Sequence, residues 1–142
     1  MSILKQLRAI LQGLLLVIVT ATSRFLCTIG LNVQAISLLR MAIQWFPKSA
    51  SMLHSQLASA YEGIGQLDQA VACLTDAIRS GPNSEFYCWE LAIMYEKHGQ
   101  PELALVNFQR SLDLDSGFSE GFRSEIQSKI EQLRLFVRES DS

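Results

Sequence analysis

Residues 51–82, SMLHSQLASAYEGIGQLDQAVACLTDAIRSGP, decide how the rest of the chain is read. Moved along the chain by 34 positions, this stretch puts Leu57 on Leu91, Ala58 on Ala92, Tyr61 on Tyr95, Gly65 on Gly99, Gln66 on Gln100, Ala70 on Ala104 and Leu74 on Phe108. Moved back by 35, it puts Gly65 on Gly30, Ala70 on Ala35, Leu74 on Leu39, Ala77 on Ala42, Ile78 on Ile43 and Pro82 on Pro47. A fixed period of this size marks a stacked-repeat architecture, in which each unit hides its apolar face on the next.

Outward from that stretch the two ends differ in kind. Residues 1–50 hold Lys5, Arg8, Arg24, Arg40 and Lys48 and no Asp or Glu, so all 14 acidic side chains fall in the remainder and leave it at a net charge of −7. An acidic repeat region repels phosphates, which argues against nucleic acid as a partner. The hydrophobic fraction of 49 % and mean hydropathy of +0.18 are high for a chain of 142 residues and point to apolar surface that is not core.

That surface lies at the N-terminus. Residues 1–15 read as an amphipathic, apolar helix, with Lys5, Arg8 and Gln12 on one side. The side chains Leu4, Leu7, Leu11, Leu14 and Ile18 form a seam for a membrane or a partner helix, although two heptads make only a short coiled coil. Capping of the first repeat is the plain alternative. The 15 uncharged residues between Arg8 and Arg24 fall short of the roughly 20 that a bilayer span needs. They also resemble a secretory signal with a small-residue site near Ala21. Cleavage there would remove the leading helix of the first repeat, whose Ser23 and Gly30 stand where the other copies have Ala58 and Ala92, and Gly65 and Gly99, so a retained N-terminus is the reading taken.

The second and third copies resemble the tetratricopeptide repeat, whose pattern runs W-x2-L-G-x2-Y, then Gly, then A-x3-F, then Ala and Pro. Leu57, Ala58, Tyr61, Gly65, Ala70, Leu74, Ala77 and Pro82 satisfy it in one copy; Leu91, Ala92, Tyr95, Gly99, Ala104 and Phe108 do so in the next, with Ser111 and Ser116 as departures. The tryptophan slot holds His54 and Cys88. The pattern has a physical reading of its own. Ala58 and Ala92 are small where two helices approach closest, the glycines permit a left-handed cap, and Pro101 suits a first helical turn. The resemblance implies an all-α, right-handed stack of antiparallel helix pairs, a TPR-like α-solenoid. Its segments would be a degenerate first repeat over 16–50, repeats over 51–84 and 85–118, and a capping helix over 119–138.

The resemblance also implies a concave groove, lined by the leading helices, that receives a peptide or a partner helix. By register its lining is Met52, Ser55, Ser59 and Glu62, then Phe86, Trp89, Ile93 and Glu96. The Lys/Asn/Arg clamp with which some relatives hold chaperone tails is missing from these slots. Trp89 is the expected anchor, being a large aromatic opposite the packing stripe; burial under a neighbouring helix is the competing reading.

No phosphate loop, HExxH, GxSxG or nucleophile with base and acid is present, and His54 and His98 lack companion ligands, so neither an enzyme nor a metal or cofactor protein is expected. Cys27, Cys73 and Cys88 read as thiols in a reducing compartment on the cytoplasmic side, with a Cys73–Cys88 disulfide as the alternative for an exported chain. The expected function is a membrane-associated, non-catalytic protein-interaction adaptor or assembly scaffold. The alternatives are a permanent structural subunit of a membrane complex, and an exported repeat protein.

Overall fold

The structure is a computed structural model that describes residues 3–81, 83–114 and 117–140. Pro82 and Ser116, which the repeat pattern singles out, lie outside the described residues. Among the described residues there are seven α-helices and no strand. They are α1 (Ile3–Thr28), α2 (Asn32–Trp45), α3 (Ala50–Gly63), α4 (Leu67–Ser80), α5 (Ser84–Lys97), α6 (Pro101–Asp113) and α7 (Glu120–Ser140). A single 3-10 turn, Pro47–Ser49, separates α2 from α3.

The chain divides into two compact units, residues 1–80 with α1 to α4 and residues 81–142 with α5 to α7. Within the first, α1 pairs with α2 and α3 with α4, while α3 also packs on α2; within the second, α5 pairs with α6, and α7 packs on α6.

One turn geometry is used three times. Gly30, Gly65 and Gly99 all have left-handed backbones, at φ of 81°, 75° and 68°. In each case the next residue sends its N–H back across the turn, from Leu31 to the Leu26 carbonyl at 2.8 Å, from Gln66 to Tyr61 at 2.9 Å and from Gln100 to Tyr95 at 2.9 Å. This closes the helix end with the six-to-one bond of a Schellman cap, and only a residue without Cβ takes that conformation at no steric cost. The residue after the glycine then starts the next helix. The carbonyls of Leu31, Gln66 and Gln100 accept from the N–H groups of Ala35, Ala70 and Ala104 at 3.2, 3.1 and 3.0 Å, and those three alanines are completely buried. The turn at Gly30 therefore has the same hydrogen bonds as the two better-marked ones.

Small side chains fill the closest approaches. Ser23, Ala58 and Ala92, which share one slot in the repeat register, are 1 %, 1 % and 0 % exposed. The first unit closes around Leu39 of α2, Leu53 and Leu57 of α3, and Leu74 of α4. The second closes around Phe108 of α6 with Ile126, Ile130 and Leu133 of α7.

Helix α1 differs from the sequence reading. It runs unbroken through residues 15 and 16, where a boundary was expected, because no proline interrupts it. At about 1.5 Å per residue its 26 residues measure about 39 Å.

A Cβ on Gly65 would meet nothing within 4 Å, so Gly65→Ala strains only the backbone. The expected loss is about 1–2 kcal/mol, the penalty of a left-handed L-residue, with Gly65→Asn losing less. Urea unfolding of the two variants measures this; an unchanged midpoint for Gly65→Ala would show that the turn is not left-handed.

Candidate functional site

Three surfaces carry the residues singled out by the sequence. The first is α1. Leu4, Leu7, Leu11, Leu14 and Ile18 are all exposed, as are Ile10 and Val17 beside them and Phe25 further on. The helix meets its own domain on another side, through half-buried Leu16, Leu26 and Cys27 and through Val19 and Ser23, which are buried. The Ser23 hydroxyl lies 2.8 Å from the side-chain oxygen of Gln56 on α3 and 2.9 Å from the Thr20 carbonyl, so its one proton serves two acceptors. Helix α1 is long and apolar enough to cross a membrane, with a mean hydropathy of 1.8 and only 11 % of its apolar window buried; a signal sequence passes the same test. Where α1 leaves the domain, Gln12, Gly13 and Leu16 line a cleft of about 400 Å³ with residues 45–49, among them exposed Trp45.

The second surface is the face of α3. Met52 and Ser59 are exposed and Ser55 and Glu62 half-buried, on the side away from buried Leu53, Leu57 and Ala60. The middle of this face, Ser55 and Ser59, is made of short side chains, and the Ser59 hydroxyl donates back to the Ser55 carbonyl at 3.4 Å. Elsewhere in the same unit, a cleft of about 360 Å³ lies among Arg40 and Gln44 of α2, His54 and Tyr61 of α3, and Gln69 and Cys73 of α4. The imidazole of His54 occupies a slot that the repeat pattern gives to the larger indole, and its Nδ1 is buried with no hydrogen-bond partner. Burial pushes the Cys73 thiol up to about 11, with the Asp76 carboxylate adding to the shift and Arg40 opposing it. The thiol is therefore protonated and a poor nucleophile at neutral pH. Burial raises Cys88 as well, and all three cysteines are free.

The third surface is α5, and here the expectation needs correcting. Phe86 is 40 % exposed, but Trp89, Ile93 and Glu96 are half-buried, and side chains of α7 reach Trp89 and Glu96. An aromatic run joins the two helices: Phe86 to Trp89 at 5.4 Å, Trp89 to Phe122 at 5.3 Å, and Phe122 edge-on to Phe118 at 4.8 Å. Ile93 packs on the same cluster. One turn on, Lys129 of α7 bonds the Glu96 carboxylate at 2.8 and 3.0 Å while sitting 5.8 Å from the centre of the Phe108 ring. Helix α7 thus engages two of the four residues assigned to an open groove, Trp89 and Glu96, and Ile93 packs on the core cluster to which α7 contributes. Trp89 makes no use of its polar edge, since its indole N–H is buried without an acceptor.

The sequence did contain a signal of this. From Phe86 to Tyr95 only Glu90 is polar, and a helix that is apolar all round is covered on more than one side. Tyr87, Cys88, Leu91, Ala92 and Met94 are indeed buried, while Trp89 and Ile93 pack against the cluster that α6 and α7 share with Ala92. Among the described residues no group of three His, Cys, Asp or Glu side chains is placed to hold a metal ion.

No family model and no curated protein matches this chain. Solved structures do. One titled "Crystal structure of MamA protein" superposes with a TM-score of 0.57 at 18 % identity, over 84 % of this chain and 68 % of that one. At that identity the likeness shows the fold alone. The fold is all-α and TPR-like, as the repeat register implied.

Removal of the Ile126 side chain, which is fully buried, is expected to cost about 2–5 kcal/mol in a thermal or urea melt. Phe122→Ala in a Trp45→Phe background is expected to shift the emission of Trp89 to longer wavelength by opening its ring to water. Unchanged emission would mean that α7 does not cover α5.

Proposed function

We propose that this chain is a non-catalytic adaptor or assembly scaffold, held at a membrane by α1 and presenting a helical face to a protein partner. The observation that carries the reading is α1 itself, a 26-residue helix whose apolar side has no counterpart within its own unit. Burying Leu, Ile and Phe side chains in lipid or in a partner is worth about 1.5–3 kcal/mol each, and a soluble domain gains nothing from leaving a row of them in water.

The TPR-like fold supports a binding role, since stacked helix pairs present long continuous surfaces. With Trp89 and Glu96 engaged by α7 and Ile93 packed on the core cluster, the face of α3 with Met52, Ser55, Ser59 and Glu62 is the candidate for a partner segment. The short side chains of Ser55 and Ser59 would let a partner backbone approach closely between Met52 and Glu62. Three free thiols fit a reducing, cytoplasmic-side location for the repeat region. Attachment to the membrane would raise the local concentration of the scaffold around partners confined to the same surface.

The test is crosslinking and mass spectrometry of the native membrane fraction, repeated with Met52→Arg combined with Ser59→Arg. Partner crosslinks near Met52 and Ser59 that fall at least about tenfold in the variant, the loss of about 1.4 kcal/mol, are expected. The same partner recovered at unchanged yield from a variant with an unchanged melt would sink the α3 assignment. Stoichiometric recovery of the whole pool in one large complex would favour a permanent structural subunit instead.

A further inference from the structure

The stripe on α1 extends beyond the short seam visible in the first residues. Leu4, Leu7, Leu11, Leu14, Ile18 and Phe25 are 50–78 % exposed and follow one another along the whole helix. At about 100° per residue they centre on one direction, and the residues that pack into the domain, Val19 and Ser23 with half-buried Leu16, centre roughly 140° away from it. Apolar stripe and domain therefore lie on nearly opposite sides of a single helix.

That arrangement restricts how α1 can meet a bilayer. Residues 3–18, which precede the buried contacts, measure about 24 Å, short of the roughly 30 Å of a hydrocarbon core. Extending a span further would carry Ser23 into lipid, away from Gln56 of α3, and would take Val19 out of the core. A helix lying in the membrane plane needs neither. It buries the stripe from Leu4 to Phe25, about 32 Å at about 1.5 Å per residue, while the domain sits on its other side.

The charges complement that placement. On the helical wheel Arg8 lies roughly 80° from the centre of the stripe on one flank and Arg24 roughly 120° from it on the other, where their long stems can carry the guanidinium groups back to lipid phosphates. No acidic side chain occurs anywhere in residues 1–50 to repel an anionic headgroup.

We propose that α1 binds an anionic bilayer surface in plane, as a monotopic helix, with Leu4 through Phe25 immersed and Ser23 still docked on α3. This rests on the membrane half of the proposed function and specifies its geometry.

The test uses the full-length chain on phosphatidylcholine vesicles with and without phosphatidylserine. Single Leu4→Cys, Leu11→Cys, Ile18→Cys and Gln12→Cys variants, made with Cys27, Cys73 and Cys88 replaced by alanine, carry an environment-sensitive fluorophore for depth measurement. Labels at positions 4, 11 and 18 are expected at one shallow depth, and the label at 12 in water. Flotation of the unlabelled native chain is expected to depend on phosphatidylserine and to weaken about fivefold for Arg8→Gln or for Arg24→Gln. A depth that increases toward the middle of the helix on every face, position 12 included, would overturn the in-plane geometry and leave membrane attachment standing. Failure of the native chain to float would overturn both. Concentration-dependent dimerisation without flotation would assign the stripe to a second copy of this chain and overturn the proposal too.

Discussion

The buried hydroxyl of Ser23 sets the terms for the N-terminal half of the structure. It is 1 % exposed and bonded to Gln56, at the slot where the other two helix pairs carry Ala58 and Ala92. A small side chain there lets α1 and its neighbours approach closely, and the hydroxyl finds its partner on α3, so it is not left unsatisfied. Once that contact is made, the rotation of α1 is fixed. The same rotation that buries Val19 turns Leu4, Leu11, Ile18 and Phe25 outward. The exposed stripe follows from the packing of the first pair and is no accident of a loose terminus.

Much of the fold was legible because the repeat encodes it locally. A glycine at the left-handed turn inside each helix pair, an alanine five residues later and a small residue at each crossing are choices that backbone sterics make almost irrespective of context. The turn at Gly30 keeps that chemistry although the helix before it has lost the Leu and Tyr of the pattern, which is why the register could be followed into the first pair. The unbroken length of α1 was less legible, since an amphipathic segment and a repeat helix look alike when no breaker divides them.

The candidate surfaces were harder to read, and α5 shows why. A repeat register says which way a side chain points from its own helix, but not what arrives from a distant part of the chain. Phe122 and Lys129 of α7 meet Trp89 and Glu96 with a ring contact at 5.3 Å and an ion pair at 2.8 Å. The ion pair is partly solvated and contributes at most about 1 kcal/mol. The aromatic and aliphatic contacts around Phe108 hold α7 in place. No helix of the first unit covers Met52 and Ser59 in this way, and they remain exposed.

The central claim is that α1 serves two surfaces at once, its packed side holding the first unit together while its stripe enters lipid. Amide hydrogen exchange of the full-length chain, with and without phosphatidylserine-containing vesicles, tests it most directly. Slower exchange over residues 3–18 on the vesicles, with α2, α3 and α4 exchanging at their original rates, is the predicted result. Faster exchange in α2 and α3 on the vesicles would show that α1 leaves its packed side to enter the bilayer, and would contradict it.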